Sequence, residues 1–230
     1  MNINVDYIVN KLVALLNTPS PSGNTKKAIE IVEKEFKSLG LITHRTNKGA
    51  LIATIAGQNQ DKEVTLSAHV DTLGAMVKEI KSNGRIKFSP IGGYALNTIE
   101  GEYVTIESTH GKLYTGTVLT TKSSVHVHGQ ETKNIERSIE NMEIRIDEKV
   151  SSKEDLEKLG INVGDYIFFD PRTTVTDSGF IKSRHLDDKA GVAILLGIAK
   201  YIVDNNIIPK YTTNFFISNY EEVGHGASAS

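Results

Sequence analysis

Two adjacent carboxylates, Glu221 and Glu222, follow two residues after an apolar, strand-like run, Thr212 to Ser218, and precede a glycine-rich turn. Two acidic side chains at the end of a buried strand are costly to desolvate unless a positive charge lies beside them. In open α/β sheets, ligands bind at the carboxyl ends of the strands. One chemistry that uses such a pair is a metal-activated water, in which one carboxylate holds the metal and the other moves a proton. The alternative is that both glutamates are solvated residues of a loop.

A histidine and an aspartate, His69 and Asp71, close a second apolar run. Residues two apart in a strand point to the same side, so these two side chains share a face. A carboxylate beside a metal-binding histidine fixes its tautomer and raises its basicity. The alternative is a chance pair on the surface.

A third acidic pair, Asp187 and Asp188, opens a long apolar helix. Acidic residues at a helix N-terminus also serve simply as caps that favour the helix dipole. However, Asp187 lies where a middle segment of different character ends, and His69 lies just before that segment begins. Because the two ends of an inserted segment must be near one another, we expect His69 and Asp187 to meet. All three acidic groups then fall at strand ends of one sheet, which favours a joint metal site.

The elements that position these residues have the pattern of an α/β domain. Apolar residues at helical spacing predict helices, and runs rich in β-branched residues predict strands, with residues 64–70 buried and central. The predicted helices are Val5 to Leu16, Thr25 to Leu39 and Lys189 to Asp204, and the predicted strands are Leu41 to Thr46, Leu51 to Ala56, Val64 to Val70 and Thr212 to Ser218.

From Leu73 to Thr174 short strands dominate, a spacing typical of a small barrel or sandwich. Asn83-Gly84 predicts a hairpin turn, and a single helix over Lys153 to Leu159 is capped by Ser152 with Asp155 and ended by Gly160. Residues 130–141 are polar and are expected to form an exposed loop. The chain is therefore predicted to divide into an α/β domain of two segments, 1–72 and 175–230, which carries the candidate catalytic residues, and an inserted β-rich domain, 73–174.

Net charge, cysteine content and apolar runs exclude or disfavour several classes of function. A net charge of −2 gives no electrostatic argument for binding nucleic acid or an anionic membrane. The chain has no cysteine, so metal ligands would be His, Asp or Glu. No signal-peptide pattern and no apolar run of membrane-spanning length is present. We therefore expect a cytoplasmic protein.

Other histidines are weaker candidates for the site. His126 and His128 could bind a metal as a His-x-His pair, but a surface strand pair is favoured. His185 and His225 flank the acidic segments. Either could line a substrate pocket, but a place on an incidental polar rim is favoured.

Taken in order, these segments resemble the M42 family of metalloaminopeptidases, the group that includes glutamyl and tetrahedral aminopeptidases. The resemblance runs along the whole chain, and the β-rich insert directly after His-x-Asp separates it from the related M20 and M28 peptidases. It implies a three-layer α/β/α metallopeptidase domain, incomplete here, with an inserted β-barrel-like domain. The segments that carry it are 68–71, 73–77, 91–93, 164–165, 186–191 and 221–224.

The resemblance also implies a site with two divalent metal ions, zinc or cobalt. Asp187 would bridge the ions, and His69 and Glu222 would each complete part of one ion's shell. Glu221 would be the general base, and Asp71 would orient His69. The reaction implied is the removal of N-terminal residues from peptides, by a homo-oligomer that ranges from a dimer, built with the help of the insert, to a dodecamer.

In one respect the sequence departs from the family pattern. Family members supply a further Asp ligand shortly after the Glu-Glu segment and a His ligand nearer their C-terminus, whereas this sequence ends at Ser230. The expectation is a C-terminally truncated chain, ending within a helix that begins at the Glu-Glu segment. Two other functions remain open. One is a glycan hydrolase that uses the carboxylate pair, and the other is an oligomerising module without catalysis.

Overall fold

A computed structural model describes residues 3–227, which fall into two compact units. One unit comprises the described residues up to Thr72 together with those from Pro171 onward, and the other comprises Leu73–Asp170. The helices are α1 Val5–Leu16, α2 Lys26–Ser38, α3 Val125–His128, α4 Gln130–Asn134, α5 Lys153–Lys158 and α6 Leu186–Asp204. The strands are β1 Ile42–Arg45, β2 Leu51–Ile55, β3 Asn59–His69, β4 Gly74–Ile80, β5 Ile86–Ile91, β6 Tyr103–Glu107, β7 Leu113–Thr120, β8 Met142–Ile146, β9 Tyr166–Phe169, β10 Thr174–Val175, β11 Ile181–Lys182 and β12 Tyr211–Ser218.

The first unit is built on a four-stranded sheet with the order β1-β2-β12-β3. β12 runs antiparallel to β2 and parallel to β3. Alternate residues of the central strands, such as Leu51, Phe215 and Ile217, are fully buried and share one core with α1, α2 and α6. Their neighbours in the strands, Ile52 and Phe216, point to the opposite face and are only partly buried. The helices thus cover one face of the sheet, and a second helical layer on the other face stays a prediction.

The helices of this unit follow the predicted pattern. α1 spans the predicted residues and begins at the N-cap Asn4, whose side chain accepts the backbone N–H of Tyr7. α2 buries Ile29, Val32 and Phe36, and the Phe36 ring packs 5.6 Å from that of Phe215. These contacts fix α2 against the sheet through the apolar stripe that its sequence contains.

The prediction that residues 64–70 form a buried central strand was wrong. β3 is longer, starts at Asn59, and lies at an edge of the sheet, with β12 as its neighbour among residues 3–227. Val64 is 42% exposed, and only Ala68 and His69 at the end of β3 are buried. Apolar composition alone does not set burial, because burial depends on which strands and helices pack beside the strand.

The second unit is a closed six-stranded barrel with the order β4-β5-β8-β7-β6-β9. Its core contains the inward side chains of every strand, with Phe88, Ile106 and Ile144 fully or nearly fully buried. The barrel confirms one of the two architectures that the short strands predicted. The predicted helix over Lys153 to Leu159 is confirmed as α5, including the capping box of Ser152 and Asp155.

Two local predictions in this unit were wrong. The segment of His126 and His128 forms the short helix α3 rather than a strand, although His126 is exposed as expected. Residues 130–141 are not an irregular loop, because they contain α4 and a 3-10 turn, Ile139–Asn141. Short helical turns of this kind leave little periodicity in the sequence. In residues 3–227, the structure has no helix that is both long enough and apolar enough to cross a membrane.

Candidate active site

The parallel pairing of β3 and β12 places their last residues side by side. His69 at the end of β3 is opposite Ser218 at the end of β12, and the Val70 N–H donates to the Ser218 carbonyl at 3.1 Å. The residues that follow each strand, Asp71 on one side and Glu221 and Glu222 on the other, are therefore neighbours. Asp187 and Asp188 reach the same place from the start of α6.

His69 lies at the centre of this group and is only 7% exposed. Its Nδ1 lies 3.0 Å from the Asp71 carbonyl oxygen and 3.3 Å from Asp71 Oδ1. Its Nε2 lies 3.3 Å from Asp187 Oδ1 and 3.5 Å from Glu221 Oε2. Burial by itself lowers the pKa of His69, but the hydrogen bond and charge of Asp71 and the charge of Glu221 outweigh it and raise the pKa to about 9.

Asp71 is fully buried, and four donors surround its carboxylate. Oδ1 accepts the Glu221 N–H at 3.2 Å and faces His69 Nδ1. Oδ2 accepts the Glu222 N–H at 3.2 Å and the hydroxyl of Ser22. Burial alone would raise the pKa of Asp71, but these hydrogen bonds outweigh burial and lower it. The carboxylate is therefore held ionised and in one orientation.

The two aspartates that begin α6 differ in their surroundings. The Asp187 side chain is 90% exposed, so that its carboxylate is open to a ligand while it faces His69. Asp188 accepts the His69 backbone N–H at 3.2 Å with Oδ2 and the Gly191 N–H at 3.2 Å with Oδ1. Asp188 thus ties the start of α6 to the end of β3 and holds Asp187 beside the imidazole. Both residues have non-helical backbone angles, although the helix is assigned from Leu186.

The two glutamates sit on a tight turn after β12. Tyr220 is in the left-handed conformation with φ 65°, Glu221–Val223 form a 3-10 turn, and Gly224 has φ 82°. A glycine is suited to that position because an L side chain is strained there. The prediction that a helix begins at the Glu-Glu segment was wrong for the residues that the structure describes, which form only this 3-10 turn. Residues 228–230 lie outside the described residues.

Glu221 and Glu222 have different environments. The Glu221 side chain is 54% exposed and faces His69. Burial raises the pKa of Glu222, and although the charge of His69 opposes this, the charges of Asp71, Asp187 and Glu221 add to it and bring the pKa to about 7. Repulsion among several carboxylates around one imidazole means that the cluster would gain from a nearby cation.

The donor set has the chemistry of a site for divalent cations. It contains one imidazole and several carboxylates and no thiolate, which suits zinc and similar ions. Within residues 3–227, no three His, Asp or Glu side chains are arranged closely enough to hold a metal ion by themselves. The described residues therefore fit a metal in ligand type and charge, without forming a closed coordination shell.

The structure brings together all five residues that the sequence singled out, His69, Asp71, Asp187, Glu221 and Glu222. It also adds Ser22, which sequence reasoning missed and which donates to Asp71. Asp188, named in the sequence only as the neighbour of Asp187, holds the His69 backbone. The run Pro19-Ser20-Pro21-Ser22-Gly23 is the signal that could have drawn attention to Ser22.

The structure also places the four histidines that were weaker candidates for the site. His126 and His128 belong to the barrel unit. His185 is 6% exposed, so its expected place on a polar rim was wrong. His225 is exposed, and its backbone N–H and carbonyl bond to the Tyr220 carbonyl and the Lys48 ammonium.

A mixed α/β fold with an inserted barrel, and a cluster of imidazole and carboxylates at parallel strand ends, are features of the class of metal-dependent hydrolases. Comparison with known proteins gives the family. Residues 49–230 match the model of the M42 peptidases, described as M42 glutamyl aminopeptidase. The chain belongs to this family.

Relatives of known sequence or structure agree with the assignment. YhfE of Bacillus subtilis (strain 168), provisionally named as an aminopeptidase, is 52% identical over 216 residues, which cover 94% of this chain and 62% of YhfE. The crystal structure of a TET aminopeptidase from the marine sediment archaeon Thaumarchaeota archaeon SCGC AB-539-E09 has a TM-score of 0.85 at 22% identity, covering 94% of this chain and 60% of that one.

A third similar protein is the TET1 peptidase of Pyrococcus horikoshii, which can assemble into a tetrahedron or a large octahedral shell. Its TM-score is 0.77 at 23% identity, covering 94% of this chain and 62% of that one. These two solved structures share the fold with this chain. The chain spans less than two thirds of the length of each of the three proteins.

Proposed function

We propose that this chain carries part of the active site of an aminopeptidase that removes N-terminal residues from peptides with the help of two divalent metal ions, zinc or cobalt. The observation that carries the proposal is the position of His69, whose Nε2 faces the carboxylates of Asp187 and Glu221 while Nδ1 faces Asp71. Metal-binding histidines commonly have a carboxylate beside one ring nitrogen while the other nitrogen binds the metal. His69 has this arrangement, with further carboxylates beside its second nitrogen.

Three side chains would hold the ions in this proposal: His69, Asp187 and Glu222. Asp187 is suited to bridging because its carboxylate is the most exposed of the three and already faces His69. When bound, the ions would lower the pKa of the attacking water and polarise the scissile carbonyl. The pKa of Glu222 is raised because its carboxylate is partly buried beside other carboxylates. A bound cation would stabilise the ionised form of Glu222.

Glu221 is the proposed general base. Its carboxylate is half exposed, lies 3.5 Å from His69 Nε2, and is borne on a backbone that the Asp71 carboxylate fixes. It would take a proton from the attacking water and deliver that proton to the leaving amine. Asp71 would orient His69, and its burial keeps water from competing for the Nδ1 contact.

The two other functions are less favoured. A glycan hydrolase requires two carboxyl groups across the scissile bond, but then the contacts of His69 with Asp71 and Asp187 have no role. A non-catalytic module gives no reason for several carboxylates to surround one buried imidazole, because such a cluster costs stability without a cation.

Homo-oligomerisation through the barrel is a further part of the proposal. The assembly of the Pyrococcus horikoshii TET1 peptidase supports it, as do the exposed apolar side chains of the barrel, among them Leu113 and Val163. Light scattering should give an oligomer for the wild type and a smaller species for a variant with Leu113→Lys and Val163→Lys. A monomeric wild type would contradict this part of the proposal.

The proposed activity is tested with two peptides of the same sequence, one with a free N-terminus and one N-acetylated. The purified protein should release the first residue of the free peptide and leave the acetylated peptide intact. A chelator should abolish the release, and zinc or cobalt should restore it. Release that persists in the chelator, or equal cleavage of the acetylated peptide, would overturn the proposed function.

A further inference from the structure

The loop between α1 and α2 runs beside the residues that follow β3. The Ser22 N–H donates to the Thr72 carbonyl at 3.3 Å, and the Thr72 N–H donates to the Ser20 carbonyl at 2.9 Å. Pro21 pairs with Thr72 as an isolated parallel bridge. Ser20 and Ser22 are 0% and 6% exposed. The backbone therefore fixes the direction of the Ser22 hydroxyl, which donates to Asp71 Oδ2.

We propose that Ser22 is a positioning residue of the active site: its hydroxyl holds the Asp71 carboxylate in the orientation in which one aspartate fixes both His69 and the backbone of the glutamate pair. The predicted effect of Ser22 on metal binding and catalysis rests on the proposed function. Its predicted effect on the order of the Glu221–Glu222 turn rests on the geometry alone.

The case for Ser22 follows from how the donors are divided between the two oxygens of Asp71. Oδ1 faces His69 Nδ1 and the Glu221 N–H, and Oδ2 faces the Glu222 N–H and Ser22. Three of these groups are themselves parts of the site that must be positioned. Ser22 is the fourth donor. It belongs to the loop between α1 and α2 rather than to either strand end, so it can fix the carboxylate independently of the groups that Asp71 positions. Without it Oδ2 keeps the Glu222 N–H, and the carboxylate is held less firmly against rotation.

A turn of the carboxylate would loosen two parts of the site together. His69 would lose the fixed partner of Nδ1, so that Nε2 would no longer be aimed at Asp187 and Glu221. The N–H groups of Glu221 and Glu222 would lose a fixed acceptor, so that the turn carrying both side chains would open more often. A serine is suited to this role because its hydroxyl is a donor that stays neutral and leaves the charge of the cluster unchanged.

Ser20 offers a matched control within the same loop. Ser20 is also buried, and its hydroxyl donates at 2.7 Å to the carbonyl of Val70, the residue before Asp71. Ser20→Ala thus removes a buried hydroxyl bond to the same stretch of chain without removing a donor to Asp71. A purely structural role of the loop would make Ser20→Ala and Ser22→Ala alike.

The first experiment uses metal-free protein and backbone hydrogen exchange. Ser22→Ala should speed exchange of the Glu221 and Glu222 amides at least tenfold and change the ¹⁵N shifts of the His69 ring. Ser20→Ala should leave both unchanged, and Ser22→Thr should restore slow exchange. Equal exchange in the two alanine variants, or no change in Ser22→Ala, would overturn the proposal. If Ser22→Ala does not fold, Ser22→Cys and Ser20→Cys carry the same comparison.

The second experiment measures Zn²⁺ affinity by calorimetry. Loss of a partner behind a metal ligand typically weakens metal binding about 10- to 100-fold, so Ser22→Ala should bind Zn²⁺ at least tenfold more weakly than Ser20→Ala. Equal affinities would overturn the role of Ser22 in metal binding. A wild type that binds no Zn²⁺ would instead overturn the proposed function, and the exchange comparison would still decide the role of Ser22.

Discussion

The backbone N–H of Glu221 donates to Asp71 Oδ1 at 3.2 Å, across 150 residues of chain. The same carboxylate accepts the N–H of Glu222 and faces His69 Nδ1. One buried side chain thus sets the distance between the ends of β3 and β12, where the imidazole and the two glutamates lie. The spacing of the site therefore depends on Asp71 as much as on the pairing of the strands.

Asp71→Asn should destabilise the fold. An asparagine keeps one acceptor oxygen but turns an NH₂ group toward donors that the carboxylate now accepts. Because buried donors lose a charged partner, we expect the free energy of unfolding to fall by about 3 kcal/mol. Chemical denaturation measures this loss. Asp61→Asn, at an exposed position of β3, the strand that Asp71 follows, should be close to neutral, and equal losses in the two variants would contradict the role of Asp71.

Glu221→Gln should lower kcat and leave the stability of the fold unchanged. The substitution keeps the main-chain bond to Asp71 and the size of the side chain, but glutamine cannot accept the proton. General acid-base groups contribute about 10²- to 10⁴-fold to rates, so kcat should fall by this factor. Thermal stability and Zn²⁺ affinity should remain near those of the wild type.

The matched control for Glu221→Gln is Glu30→Gln, at an exposed position of α2. It should keep full activity. If Glu221→Gln retained kcat within a factor of a few, the assignment of the general base would be wrong.

Much of the fold could be predicted from the sequence because the relevant signals are local. The apolar spacing of Val5 to Leu16 and the capping residues Ser152 and Asp155 lie within a few positions of the structure that they specify. β3 could not be predicted in the same way. Its burial depends on which strands pair beside it, and nothing in residues 64–70 indicates that β3 is at an edge of the sheet that residues 3–227 form.

The residues of the site also differ in whether the sequence could predict them. Strand alternation places His69 and Asp71 on one side, and the order of segments suggests that Asp187 reaches them. Ser22 could not be found this way, because it lies 49 residues from Asp71 in a loop whose serines and prolines look like ordinary turn residues. For Asp188, the sequence offers helix capping as one of two interpretations. It does accept the Gly191 N–H as a cap would, but it also accepts the His69 N–H.

Gly116→Ala should destabilise the barrel. A Cβ at this position in β7 would lie 2.6 Å from the backbone carbonyl oxygen of Arg145 on β8, so the strands would have to separate. Overpacking of this kind costs about 1–3 kcal/mol. Gly93→Ala is the control in the same unit, because a Cβ there would meet no atom within 4 Å. Denaturant titration of both variants checks the difference, and a neutral Gly116→Ala would contradict the close approach of β7 and β8.

Tyr7 should make stability depend on pH in the alkaline range. Its hydroxyl donates to Glu35 Oε1 at 2.7 Å, while Lys11 Nζ donates to Oε2 at 2.6 Å. Burial raises the pKa of Tyr7 first, and the hydrogen bond to Glu35 with the charges of Glu35 and Asp204 raises it further above the ordinary value of 10.0. The folded state therefore keeps the phenol proton at a pH where the unfolded chain releases it, so stability is lost as pH rises above about 10.

Tyr7→Phe measures this contribution by difference. At pH 7 the variant should be less stable than the wild type by about 1 kcal/mol, since it lacks the hydrogen bond to Glu35. At pH 11 the difference should shrink or reverse, because only the wild type is penalised by ionisation of Tyr7 in the unfolded chain. Tyr103→Phe, at a residue that is 67% exposed, is the control and should show the same small difference at both values. A Tyr7→Phe difference that does not change between pH 7 and pH 11 would show that the Tyr7–Glu35 contact does not hold the phenol proton in the folded state.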